Sequence, residues 1–297
     1  MDTSRSAPIR PRRSPLSAEA AIPRRWFAGS AAATGLANGV NLLFPHGERF
    51  FVRSVHRYVD RLDPALREQV RGFSGQEGRH AGAHERFFEI MRTQGYEVDR
   101  FLDVFIRTVA WLEARVPGAL NLSVTVAVEH FTAILAEAAL RDGILEGAHP
   151  AVRDLLLWHA AEEIEHKSVA FDVLAEVSPG YLLRMAGLAV ASAILFGFWT
   201  AATAHLWRQD GLSPIAAARE LAALRSSRAA ATRRDAKLII GRVALTLLRG
   251  LGDYLRPGFH PDDNDNAALA RDYLASAGLE ASASPAMAPR LERRIMA

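Results

Sequence analysis

Two Glu-x-x-His pairs, Glu77/His80 and Glu163/His166, fall inside segments with the apolar spacing of helices. Residues three apart share a helix face, so each pair aims a carboxylate and an imidazole at one point. Around the second pair the pattern is sharper. His159, Glu163 and His166 make an i, i+4, i+7 stripe that Leu155, Ala170 and Val173 continue. The stripe therefore faces a core, where charged groups are costly unless paired or bound to a cation. A chain with two such helices must fold so that the pairs meet. The competing reading is a solvated face through Glu162, Glu163, Glu165 and Lys167, and the alignment of imidazoles with Glu163 argues against it.

Chance alone supplies some of this signal. Random placement of the glutamates and histidines would give ~0.6 Glu-x-x-His pairs in a chain of this size, and three occur. The third, Glu146/His149, lies between Gly143 and Pro150 in a loop and is set aside. Two further acids stand alone in apolar surroundings. Glu129 is the only acid in the run Leu122 to Phe131, and Glu48 sits between Phe44 and Phe51. Two helices with Glu-x-x-His plus two helices with one Glu each is the donor pattern of carboxylate-bridged dinuclear metal bundles. Four glutamates also balance two divalent cations. His130 points a quarter turn from Glu129 and is expected in an outer layer or at the surface.

The rest of the chain is read as helices. Alanine, leucine and arginine dominate, and β-branched runs are few. The expected fold is all-α, a ferritin-like four-helix bundle with additional C-terminal helices. The expected division is a disordered Arg/Pro-rich tail over 1–25, the bundle over 26–180, apolar and basic helices over 181–260 and a partly helical tail over 261–297. Within the bundle, helices are expected over 33–59, 64–94, 101–116, 120–142 and 150–177. Asp63-Pro64 is a start signal and Gly143 a stop signal. Arg24-Arg25 resembles a twin-arginine export signal, and entry into the first helix is the plainer reading.

With no cysteine, disulfides, iron–sulfur clusters and zinc–thiolate sites are excluded. Any metal must be held by oxygen and nitrogen, which favours harder ions. From Met185 to Ala204 there is no charged residue, and seven of these residues are alanine. The stretch is long enough to cross a bilayer. A shorter apolar run, Leu238 to Leu251, contains Arg242 and Arg249. Between Arg208 and Arg256 ten Arg or Lys stand against four Asp or Glu. These features lead to the expectation of an in-plane or subunit-facing helix, with peripheral membrane contact or a homodimer. The expected location is the cytoplasm, at the inner face of the membrane. No aromatic-interleaved basic motif is present, so nucleic acid is not an expected partner.

Several motifs are similar to those of one family. Phe44-Pro45-x-Gly47-Glu48-x-Phe50-Phe51, Gln76-Glu77-x-x-His80-x-x-x-His84, Glu129-His130-Phe131-Thr132-Ala133 and Trp158-His159-x-x-Glu162-Glu163-x-Glu165-His166-Lys167 resemble the bacterial predicted metal-dependent hydrolases. The likeness spans about 26 to 262 and includes Arg256-Pro257-Gly258-Phe259-His260-Pro261. The order Glu48, Glu77/His80, Glu129, His159/Glu163/His166 also resembles the p-aminobenzoate N-oxygenase group of di-iron proteins, in which the extra histidine corresponds to His159 here.

The resemblance implies two iron ions, with manganese or zinc as alternatives. Glu77 and Glu163 would bridge them, Glu48 and Glu129 would be terminal ligands, and His80, His159 and His166 would supply nitrogen. Glu162 and His84 would orient these ligands, and His84 could itself reach a metal. Two reactions are open: activation of O2 to oxidise a small organic substrate, ranked first, and hydrolysis by a metal-bridging hydroxide. Metal storage is the non-enzymatic alternative.

Overall fold

The computed structural model describes residues 9–17, 20–231 and 245–279. Among these the regular structure is helical, apart from one isolated bridge between Phe27 and Ala148. Helix α1 (Ala31–Asn41) starts at Ser30, whose side chain accepts from the Ala33 amide. It is followed by α2 (Phe44–His56), α3 (Pro64–Thr93), α4 (Asp99–Arg115), α5 (Gly118–Asp142), α6 (Pro150–His166) and α7 (Val169–Val177). Then come α8 (Tyr181–Gln209), α9 (Pro214–Ala231), α10 (245–254) and α11 (Ala267–Ser276). Asp63 caps α3 through the Ala65 and Leu66 amides, and Gly143, at φ 64°, closes α5.

Helices α2, α3, α5 and α6 enclose the buried polar cluster, and apolar clusters lie on either side of it. Two expected helices are each broken in two. The 33–59 helix stops at Asn41 and restarts at Phe44. The cause is Pro45, which has no N–H to give the Asn41 carbonyl and whose ring would clash with it. The 150–177 helix is interrupted at Lys167 and Ser168. There the Lys167 amine is drawn to the Asn264 carbonyl and to Asn266 Oδ1, at 2.5 and 2.7 Å.

The expectation of a disordered tail over 1–25 is corrected for residues 9–17 and 20–25. Leu16, Ile22 and Arg12 are buried. The strap crosses α3 so closely that a Cβ on Gly75 would sit 2.4 Å from Pro11 Cγ. Buried apolar side chains and a buried ion pair offset its ordering entropy. Arg24 joins Asp210 at 3.0 Å and stacks 4.1 Å over Tyr96, which ties the strap to the end of α8. Residues 1–8 lie outside the described residues.

Among the described residues two helices are long and apolar enough to cross a membrane, and they differ in burial. The apolar window of α5 is 67 % buried, that of α8 only 22 %. Helix α8 lies along α1 and α5. A Cβ on Gly187 would fall 2.1 Å from Ser123 Oγ, so small residues on this face let α8 approach closely. Its other face is open: Leu182 is 81 % exposed. The Leu238–Leu251 run lies outside the described residues up to 244, and the remainder belongs to α10.

Candidate metal centre

Each of four helices turns polar groups into the bundle interior. Glu48 comes from α2, Glu77, His80 and His84 from α3, Glu129 from α5, and His159, Glu163 and His166 from α6. None of these eight is more than 4 % exposed. The seven residues singled out as ligands from the sequence are brought together. His159 Nε2 lies 2.8 Å from Glu163 Oε1 and 3.6 Å from Glu48 Oε1. His166 Nε2 lies 3.0 Å from Glu77 Oε1, 3.4 Å from Glu129 Oε2 and 3.6 Å from Glu163 Oε1. His80 Nδ1 lies 3.6 Å from Glu163 Oε1. Four overlapping groups, Glu48/His84/His159, His80/His159/Glu163, Glu48/Glu77/His80 and Glu77/Glu163/His166, each place ligand atoms within 4.8 Å of one another.

The protein does not satisfy these atoms by itself. No hydrogen bond of good geometry reaches either carboxylate oxygen of Glu48, Glu77 and Glu129, Glu163 Oε2, His80 Nδ1 or His166 Nε2, and the close approaches of His166 Nε2 to Glu77 and Glu129 are ion-pair contacts. Unpaired buried polar atoms are rare and expensive, and here they share one volume. The electrostatics agree. Burial, then Glu77 and Glu163, hold the Glu48 carboxyl well above the ordinary range. Burial, then Glu129, do the same to Glu77. Burial, then Glu163, push Glu129 up to about 7. Burial would raise Glu163 too, but His166 and His159 overcome it and hold that carboxyl well below its ordinary value. Burial, then the charge of His159, keep His80 and His84 well below the ordinary imidazole value. Four acids and three or four imidazoles form a donor set suited to divalent cations of hard or borderline character, with two ions balancing the acids.

Outer partners fix how the imidazoles point. His80 Nε2 and Glu162 Oε2 share a hydrogen bond at 2.9 Å, which leaves Nδ1 as the atom facing the cluster. His166 Nδ1 donates to Gln76 Oε1 at 2.8 Å, while Gln76 Nε2 donates to Glu165 Oε2 at 2.8 Å and fixes the amide's orientation. His84 Nδ1 donates to Asn41 Oδ1, so His84 Nε2 accepts from His159 Nδ1 at 2.7 Å. With Nδ1 engaged in the outer network, Nε2 is the atom that His159 and His166 each turn toward the cluster. Aromatic rings hold the imidazoles laterally. Phe44 packs at 4.7 Å on His159, Trp158 at 4.9 Å on His80 and Phe73 at 5.0 Å on His166.

Arg12 closes this outer network. Its backbone N–H donates to Glu162 Oε1 at 3.0 Å, and its guanidinium grips Glu165 at 2.5 and 2.8 Å. Burial pushes Glu162 up to about 8 against the pull of Arg12. Glu162 and His84 are placed against the imidazoles of His80 and His159. His130 touches none of the candidate ligands' imidazoles and turns to α10. His130 donates to the Gly250 carbonyl at 2.7 Å and stacks on Tyr254, because a quarter turn from Glu129 points at α10. Glu165 lies off the ligand stripe and anchors both Arg12 and Gln76. Glu146 is exposed in its loop. Asn41 and Arg12 escaped the sequence reading. Gln76 carried a signal, being the residue before the first ligand.

A cavity of ≈ 70 Å³ lies among α1, α2, α4, α5 and α8, with Phe44, Gly47 and Phe51 on its α2 wall. A void of that size in a core costs about 2 kcal/mol relative to a filled one.

A helical bundle with a buried, internally unsatisfied cluster of carboxylates and imidazoles defines a metal-binding protein. The chain belongs to the family described as Predicted metal-dependent hydrolase, whose model matches residues 10–265. The matched region includes the strap that carries Arg12. No curated protein and no solved structure matches the chain.

Proposed function

We propose that the chain is a metal-dependent hydrolase whose cluster holds two divalent cations. The observation that carries this reading is the set of partnerless, buried ligand atoms on four helices of a chain in this family. Glu77 and Glu163 are central enough to bridge, and Glu48 and Glu129 flank them. His80, His159 and His166 supply Nδ1, Nε2 and Nε2. What bound cations add is Lewis acidity and activation of water. The chain's own groups do the rest. The four carboxylates neutralise the cations, the outer partners hold each imidazole in one tautomer, and Phe44 shields His159 from bulk water. The test is hydrolysis of a chromogenic ester by protein reloaded with zinc, manganese or iron, with chelator-treated protein as the blank. Metal-independent rates would overturn the reading.

One observation favours a second reading, a di-iron centre that activates O2 to oxidise an organic substrate. Four carboxylates in a site this closed are typical of redox iron or manganese. An oxygen-sensitive absorption band in iron-loaded protein, with no ester turnover, would favour it over hydrolysis.

Peripheral membrane contact belongs to the same proposal. Leu182 on α8 and Leu248 on α10 are 81 % and 69 % exposed, and the sequence between Arg208 and Arg256 is rich in Arg and Lys. An anionic bilayer surface would complement both features.

A further inference from the structure

We propose that the cavity beside α2 is the substrate's chain-binding site, and that the substrate carries an unbranched aliphatic chain on the group processed at the metal cluster. This rests on the metal-dependent reading above and adds the substrate class. The cavity and the cluster share one helix turn. On α2, Phe44 and Phe51 lie four residues before and three residues after Glu48, and both line the cavity. Phe44 also packs on His84 and His159, so one ring separates the cavity from two imidazoles.

The lining offers nothing polar to a ligand. Thr132 and Trp199 carry its only polar side-chain atoms, and both are used internally. Thr132 Oγ1 donates to the Glu129 carbonyl at 2.9 Å, and Trp199 Nε1 donates to the Leu36 carbonyl at 2.9 Å. An apolar cavity of this kind excludes water and accepts hydrocarbon. Recognition must then come from chain shape and length, with the polar end left to the cluster.

Gly47 supports the assignment. It lies within α2, where glycine is a poor helix former, and its φ is not positive. A Cβ there would meet only Phe51 Cζ, at 3.7 Å, an ordinary contact. Folding does not require glycine at this position. What its missing side chain does is keep the cavity open one residue from Glu48.

The test uses full-length, metal-loaded protein and two readouts. In the first, calorimetry measures binding of butyrate, hexanoate, octanoate and decanoate. Affinity is expected to rise about fourfold per methylene until the cavity is full. Gly47→Leu and Leu195→Trp, which fill the cavity from opposite walls, should flatten that series at unchanged metal content. In the second, chromogenic esters of the same acids are assayed for hydrolysis. No chain-length dependence of binding in the wild type, or an unaltered series in both folded variants, would overturn the proposal. Chain-length-dependent binding without hydrolysis would support the cavity assignment while overturning the hydrolase reading.

Discussion

Without metal, the acid cluster should work against folding, and Glu129→Gln isolates that effect. The amide is nearly isosteric with the carboxyl and resembles its protonated form. Burial and Glu163 push Glu129 up to about 7, from an ordinary value of 4.5. A carboxyl raised in the folded state costs nothing below its unfolded pKa. Its penalty grows as pH rises through that window and is complete above the folded pKa. The gap corresponds to about 3 kcal/mol at pH 8. Metal-free Glu129→Gln should therefore match the wild type near pH 4.5 and exceed it above pH 7. For a chain of this size the gain amounts to roughly 5 °C in melting temperature. Added divalent metal should reverse the order, since it stabilises in proportion to occupancy and the variant has lost a ligand. Scanning calorimetry from pH 4.5 to 8, with chelator and with metal, reads both effects. If the metal-free variant melts at or below the wild type at pH 8, Glu129 does not face unpaired acids and the cluster is not strained as described.

Arg12→Ala should weaken metal binding about 10–100-fold while every inward ligand stays in place, because it removes the guanidinium from Glu165 and Glu162 and so loosens Gln76, His166 and His80. Competition with a chromophoric chelator measures this, and wild-type affinity would show that the strap does not position the site. Glu163→Ala should empty or halve the site, whereas Glu165→Ala should cost only an intermediate loss through Gln76; equal loss in the two, read by elemental analysis, would contradict the assignment of helix faces. Membrane-associated protein should be released by high salt or carbonate. Extraction by detergent alone would indicate a spanning rather than a surface-lying α8.

The ligand helices were legible because an acid in an apolar stripe contradicts its surroundings, and local spacing alone exposes that contradiction. Glu129 and the His159–Glu163–His166 stripe are such cases. The helix break at Leu42-Leu43 had a local signal in Pro45, masked by the apolar spacing that continues through Phe50 and Val55. Arg12 could not be found this way, because its partner Glu162 is 150 residues distant and nothing local distinguishes it from the other arginines of the tail. His130 was misplaced because periodicity gives a direction around a helix but not the element waiting there, here α10. The cavity depends on five helices at once, and only Gly47, an unneeded glycine in a helix, marked it in one dimension.

Metal content tests the central claim most directly. Protein purified from cells grown with ample iron, manganese and zinc should carry ~2 transition-metal ions per chain, the number that four carboxylates can neutralise. Elemental analysis of the wild type beside the Glu163→Ala, His166→Ala double variant should show that content fall to about one or none in the variant. Undiminished content in the double variant, or a folded wild type that takes up no such metal even on reconstitution, would contradict the account.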